Sequence, residues 1–299
     1  MLETKLADKP RFSDRVGLLA GAGRFPFHFA DAAREQGIEV VCVGVRDHVD
    51  PALRDHVDRY YEVGLGKLGG AIRCFKGEAI TWAVMAGKIH KVMMFSPMPL
   101  LRMLPDWRTI RWWLARKGSD NKDDTLLLSI IREFQKDGIE FASALEVCPE
   151  LLADVGTFTR RQPTESQARD IAFGWTLARE MGRLDVGQSV VVKNAAAIAI
   201  EAIEGTDRAI ARAGQLCRAG GFTVVKVAKP LQDMRFDVPT VGVQTIVGMA
   251  KAGGSVLAIE AHRTILIDRE ETIQLANRHG IAIVSLTGEE AAKTDPMVA

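Results

Sequence analysis

VGLLAGAGRFPFHFADAAREQGIEVVCVGV, residues 16–45, decides the fold class. Residues 16–20 form an apolar run of strand length, GAGRFP is a turn, 26–36 has helical spacing, and 38–45 is a second β-rich run that ends in the polar RDHVD. Strand, helix and strand in this order make a βαβ unit, so a parallel sheet covered by helices is expected.

Working outward, residues 68–75 and 78–86 read as helices, 91–95 as a third strand, and 106–117 and 123–136 as helices, with Asp123 or Asp124 at the N-cap or first turn of the last. Periodicity fades in CPELLADVGTFTRRQPTES, 148–166, where Pro, Gly and Thr accumulate. The second half opens with a helix over 166–181 and two strand-like runs, SVVVKN and AAAIAIEAI. EGTD follows, with Thr206 or Asp207 placed to cap a helix ending near Gly220. Then come a strand at 222–227, a helix at 240–251, strands at 255–260 and 264–267, a helix at 269–278 and a last strand, IAIVSL. The close strand pairs predict a mixed sheet. The expected organisation is two α/β domains: a Rossmann-like parallel-sheet domain over 14–147, a linker over 148–165, a mixed-sheet α/β domain over 166–287, and a flexible tail over 288–299.

Composition narrows the function classes. In 299 residues, 47% are hydrophobic and 26% charged, which suits a well-buried core and excludes disorder. A formal net charge of +1 gives no broad basic face, so no nucleic-acid partner is expected. The four cysteines show no CxxC spacing and read as buried reduced thiols. The N-terminus lacks an apolar signal core, and no run of about 18 apolar residues occurs, so a soluble, cytoplasmic protein is expected.

Three stretches carry candidate chemistry. Gly21, Ala22, Gly23 and Arg24 follow a strand and open a helix, where backbone N–H groups can meet a phosphate. Pro26 stands where G-x-G-x-x-G requires its third glycine, and Asp47 follows the second strand where a ribose-binding acid sits in dinucleotide folds. A plain tight βα turn explains the glycines equally well. KVAKPLQDMRFDVPTVG, 226–242, places Lys229, Gln232, Asp233, Arg235 and Asp237 between Pro230 and Pro239. Extended, the two aspartates would stand about 13 Å apart; a bend brings them within about 6 Å, and the prolines favour a bent loop. Two such carboxylates can hold Mg²⁺ or orient water while Lys229 and Arg235 neutralise phosphate. The competing reading is a surface loop of solvated ion pairs. EAIEGTD, 201–207, offers Glu204, Thr206 and Asp207 either as a polar wall of a cleft or as caps, and leaves Glu201 as an acid in an apolar run needing a partner.

The six histidines never form HExxH, and there is no GxSxG, which removes histidine-built zinc sites and the common serine hydrolases. MPLLRMLPDWRTIRWWLARK, 98–117, mixes Trp107, Trp112 and Trp113 with Arg102, Arg108, Arg111 and Arg116. That combination suits a bilayer edge or an acyl-chain entrance, or else a packed aromatic face with snorkelling arginines.

GLLAGAGRFP, GKIHK (87–91), KDDTLL (122–127), LDVGQSVVV (184–192), EAIEGTDRAIARAG (201–214) and above all KPLQDMRFDVPTVG occur in order and at compatible spacing over 16–285. Together they resemble the LpxI-type UDP-2,3-diacylglucosamine pyrophosphatases. The resemblance implies hydrolysis of the pyrophosphate of UDP-2,3-diacylglucosamine to UMP and 2,3-diacylglucosamine 1-phosphate, lipid X, in lipid A biosynthesis. It also implies a divalent metal, usually Mg²⁺, and a ligand cleft between two domains of different fold. An aspartate of KPxQDxRxDxPT carries the catalysis by that resemblance: Asp237 first, then Asp233, the same pair being the expected metal ligands. Lys229, Gln232, Arg235, Thr240, Gly21, Ala22, Gly23, Arg24, Glu204, Thr206 and Asp207 are the expected substrate contacts. The expected partner is a lipid-linked nucleotide sugar, with peripheral contact at the inner membrane and a homodimer as further expectations. Two rivals stand beside this reading: a Rossmann-type nucleotide-sugar or NAD-dependent enzyme using the Gly21 turn, and a non-catalytic binder of an acylated nucleotide sugar.

Overall fold

A computed structural model describes residues 14–89, 104–116, 123–230 and 232–293. Contacts divide the chain into two units, one running to Pro149 and including Asp233–Asp237, the other comprising Glu150–Gln232 and Val238 onward.

In the first unit, β1 (Arg15–Ala20) lies at the centre of a five-stranded sheet. Its order is β3-β2-β1-β4-β5, with β2 at Glu39–Val45, β3 at Arg59–Val63, β4 at Trp82–Ala86 and β5 at Glu140–Phe141. Every pairing is parallel. EVVCVGV is buried at all positions after its first, as expected for a strand covered on both faces. Helices Phe25–Glu35, Leu68–Gly77, Trp107–Ala115 and Asp123–Gln135 complete the described part of this unit. One core joins Val41 and Val43 to Phe75, Phe134 and Phe141, each large apolar side chain contributing roughly 1.5–3 kcal/mol on burial.

Residues 78–86, expected to be helical, instead turn at Ala79 (φ 55°) and enter β4. Ala and Met favour helix locally, but this stretch fills the place between β1 and β5, and tertiary pairing overrides the propensity. Strand β3, RYYEV, is a half-exposed edge strand without a clean apolar run, and the sequence reading omitted it. The strand expected at 91–95 and the side chains of Asp123 and Asp124 lie outside the described residues.

The second unit is built on a six-stranded mixed sheet of order β6-β13-β11-β9-β7-β8. These strands are β6 (Gly156–Thr157), β7 (Ser189–Lys193), β8 (Ala196–Ile200), β9 (Phe222–Lys226), β11 (Gly254–Glu260) and β13 (Ala282–Leu286). β9, β11 and β13 run parallel; β6, β7 and β8 are antiparallel to their neighbours. The β7–β8 hairpin turns through Asn194 (φ 51°) and Ala195 (φ 57°), a left-handed pair suited to the strand twist. Asp170 accepts the Ala195 N–H at 2.7 Å and holds this otherwise unfavourable alanine conformation.

Helix Glu165–Arg183 opens on a capping box in which Thr164 and Gln167 satisfy each other's backbone N–H. Residues 150–165, read as linker, are integral to this unit. β6 pairs with β13, and buried Ala153 exchanges backbone hydrogen bonds with Thr264 and His262. The expected helix at 240–251 begins instead with β10 (Thr240–Val241), which pairs in parallel with β12 (Ile265–Leu266), before helix Val243–Ala252. Helix Arg269–Arg278 has the expected bounds, while helix Thr206–Leu216 ends four residues short of the expected Gly220. Gly288–Lys293, assigned to the tail, is a short helix whose Ala291 joins the core with Trp175 and Val284. The two-domain α/β class, parallel sheet first and mixed sheet second, is the one the sequence predicts.

Candidate functional site

The motif loop leaves the end of β9 through backbone bonds to buried polar groups. Val227 N–H donates to the Gln188 carbonyl at 3.1 Å, and Ala228 N–H to Glu260 Oε2 at 2.8 Å. Glu260, buried at the end of β11, also receives Arg179 at 3.3 Å. Lys229 N–H donates to Gln232 Oε1 at 2.8 Å while Gln232 N–H returns to the Lys229 carbonyl at 3.1 Å, fixing a tight reciprocal turn across Pro230. The Lys229 ammonium, nearly buried, donates to Asp185 at 2.5 Å. A phosphate-facing role for Lys229 therefore acts through a lysine already paired with a carboxylate, which sequence reasoning missed.

Asp233–Asp237 groups with the first unit. The Asp237 N–H donates to the Asp233 carbonyl at 3.1 Å, so the bent form of the loop is the one adopted. Phe236 packs on the core of Val41, Val43 and Phe141, and Ser143 Oγ donates to the Met234 carbonyl at 3.0 Å. Asp233 is held by its neighbour two residues on: Oδ1 accepts the Arg235 backbone N–H at 3.0 Å and Nε at 2.9 Å, and Oδ2 accepts Nη2 at 2.6 Å. The Asp233 carboxylate is thus the receptor of a bidentate guanidinium.

Burial pushes the Asp233 carboxyl upward, but the Arg235 guanidinium, its N–H and its charge outweigh this and hold it below the usual aspartate range. A depressed folded pKa stabilises above the unfolded value of about 3.9 and ceases to do so as pH falls through the folded value. The stability difference between wild type and Asp233→Asn is therefore expected to be constant near neutrality and to shrink as pH drops below about 4. Urea unfolding across pH measures it, and a difference unchanged into strong acid would exclude the ion pair as its source.

EAIEGTD is organised differently from its capping reading. The N-cap of helix Thr206–Leu216 is Gly205 (φ 84°), and no side chain caps it. Thr206 instead donates its hydroxyl to Glu201 Oε1 at 3.0 Å and accepts from the Lys226 ammonium at 3.2 Å. Lys226 also donates to the Thr240 carbonyl at 3.0 Å, and Ser189 Oγ lies 3.2 Å from the Thr206 hydroxyl. Glu201 and Lys226 are both buried, so this chain supplies the partner that the acid in an apolar run required. Glu204 is occupied nearby, accepting from Arg212 at 2.6 Å and from the Ala202 N–H at 3.1 Å, while Asp207 stands exposed in the first helical turn.

The glycine turn sits at the carboxyl ends of β1 and β4, where the strand order reverses and ligand crevices form in such sheets. Its donors are committed. Gly21 N–H donates to Ala86 and Ala22 N–H to Lys88, both at 2.8 Å, and Lys88 N–H returns to Ala22. A Cβ on Gly21 would lie 2.7 Å from the Lys88 carbonyl, so this glycine serves the close approach of two chain segments. Gly23 (φ 101°) makes the left-handed step into the helix, and the Arg24 guanidinium covers the Phe27 ring at 5.0 Å. Asp47 is exposed in a left-handed turn after β2.

Two family models match the chain: the LpxI N-terminal domain over residues 15–151 and the LpxI C-terminal domain over 154–284. The chain belongs to the LpxI family. A curated relative, UDP-2,3-diacylglucosamine pyrophosphatase LpxI of Caulobacter vibrioides, is 33% identical over 288 residues, covering 92% of this chain and 99% of its own length. Among solved structures, a biotin carboxylase complex from Campylobacter jejuni aligns over 68% of this chain and 42% of its own at 11% identity, with a TM-score of 0.27, too low to carry an argument. Among the described residues, no helix is long and apolar enough to cross a membrane.

Lys226, Glu260 and Asp185 are the site residues that sequence reasoning missed. Lys226 and Glu260 each end an apolar strand, and a charge at that position is the signal available for finding them. Asp185, in a left-handed turn 44 positions before Lys229, gave none.

Proposed function

We propose that this family member hydrolyses the pyrophosphate of UDP-2,3-diacylglucosamine to UMP and 2,3-diacylglucosamine 1-phosphate. The observation that carries the reading is the end-to-end match with a relative whose name states that activity. The motif loop supports it by carrying two aspartates four residues apart in a bent turn. We take Asp233, held by Arg235, as the positioning residue and Asp237 as the catalytic one.

In this mechanism the Asp237 carboxylate orients a water and accepts its proton as the oxygen attacks a phosphorus of the anhydride. The bond to the bridging oxygen breaks, and the leaving phosphate departs with its electron pair. Arg235, held by Asp233, presents positive charge to the pyrophosphate without a reorganisation cost at the moment of reaction. Among the described residues no group of three or more His, Cys, Asp and Glu is placed to hold a metal. The protein's share of a Mg²⁺ site would be Asp237, with Asp233 once Arg235 releases it. One or two carboxylates suffice for Mg²⁺ when substrate phosphate oxygens and water complete its shell. When bound, the ion would supply Lewis-acid charge to the phosphate oxygens.

The test is the purified chain with UDP-2,3-diacylglucosamine, with and without Mg²⁺ and with a chelator, followed by ³¹P NMR. Loss of the diphosphate signals with appearance of two monophosphates, dependent on metal, is expected. Bound but unconverted substrate with every divalent metal tried would favour the carrier reading. Tight NADH binding without hydrolysis would favour the Rossmann-type rival.

A further inference from the structure

Helix Trp107–Ala115 is amphipathic in the reverse sense. None of its residues is buried, and its inward contacts are polar. Asp106 caps it and also takes the Gly70 N–H at 3.0 Å. Arg108 pairs with Glu133 and Asp137, Trp112 Nε1 donates to Ser129 at 3.2 Å, and Arg116 donates to Ser129 and the Thr125 carbonyl. The outward side is apolar: Leu104 is 69% exposed, Trp107 73%, Trp113 37% and Leu114 52%. Trp107, Arg111 and Leu114 fall at four- and three-residue spacing on one stripe of the helix, with Arg111 exposed beside them and Leu104 exposed just before the helix. A helix of a water-facing surface normally turns these two sides the other way round.

We propose that this stripe docks on an anionic lipid surface. The occupant follows from three observations. Arg111 is the charged member of the stripe, Arg108 and Arg116 turn inward, and the one acid of 104–116, Asp106, is spent on the helix cap, so the stripe's own charge is positive and complements a negative surface. Its apolar members are tryptophans and leucines beside arginine, the combination that lies at the boundary of headgroups and acyl chains. Among the described residues its extent is one nine-residue helix, far short of the roughly 20–30 residues a side of a stable protein dimer. The purpose rests on the proposed reaction, because a diacylated substrate resides in a bilayer. The docking itself is measured without any substrate.

The experiment is co-sedimentation of the full chain with vesicles of phosphatidylcholine alone and with phosphatidylglycerol added, together with tryptophan emission. Wild type is expected to sediment with the anionic vesicles, with blue-shifted emission and weaker binding at high salt. Trp107→Ala/Leu114→Ala and Arg111→Glu are each expected to lower partitioning on the order of tenfold, while turnover of detergent-dispersed substrate stays unchanged. Because these side chains are exposed, the variants fold, and circular dichroism verifies it. Absence of binding to anionic vesicles, or equal binding by both variants, overturns the proposal. So does a concentration-dependent dimer that the same substitutions abolish, which would assign the stripe to a second copy of the chain. Vesicle binding without hydrolysis would count against the proposed reaction alone.

Discussion

Asp237→Ala is expected to lower kcat by about 10³-fold while KM for UDP-2,3-diacylglucosamine stays within about threefold, on the scale of losing a positioned general base. The backbone of the Asp233–Asp237 turn is held by the Asp237 N–H bond to the Asp233 carbonyl, by Ser143 and by the packing of Phe236. Truncation is expected to leave this turn and substrate affinity in place and to remove the proton acceptor. Asp233→Ala is expected to behave differently. It releases the Arg235 guanidinium from three hydrogen bonds, so the cation becomes mobile and KM rises together with a smaller fall in kcat. Steady-state kinetics on both variants, with melting temperatures, distinguishes the two roles. Near wild-type turnover by both would sink the catalytic assignment of this loop, and the opposite pattern would exchange the roles.

The features legible in the sequence were those written in local periodicity. The run over 16–45 specifies strand, turn and helix within single windows, and helix Arg269–Arg278 carries acids in its first turn and arginine in its last. Features set by long-range pairing were not legible. β4 reads as helix because its Ala and Met favour helix locally, and only its place between β1 and β5 makes it a strand. Residues 150–165 look like a linker because they are held through backbone bonds to β13, Thr264 and His262, which leave no mark on side-chain pattern. The site divides the same way. Asp233, Arg235 and Asp237 announced themselves as a charged loop between prolines, and their contacts are local. The partners of Lys229 and Glu201 arrive from distant strands and turns. Burial of Glu201 in an apolar run did signal that a partner must exist, though not which residue supplies it.

Lys226→Met is the second large expected effect, a loss of about 3 kcal/mol in stability of the second unit. Methionine keeps the buried stem and deletes the ammonium's bonds to Thr206 and to the Thr240 carbonyl. The register of β7 with β9 sets Ser189 opposite Lys226, and the Glu201 N–H pairs with the Ser189 carbonyl, so Glu201 stays buried near the vacancy, linked to it through Thr206. An uncompensated buried carboxylate is the expensive outcome; removal of both charges is much cheaper. The double variant Lys226→Met/Glu201→Gln is accordingly expected to recover at least half of the loss, a coupling that urea unfolding of the four proteins in the cycle measures. Lys226 and Thr240 also bracket the motif loop, one at each end. Kinetics should therefore register the same change as a fall in kcat on the order of tenfold, partly restored in Lys226→Arg, which keeps charge and donors. Equal stability of Lys226→Met and wild type, or strict additivity in the cycle, would show that the ammonium and Glu201 do not communicate through Thr206.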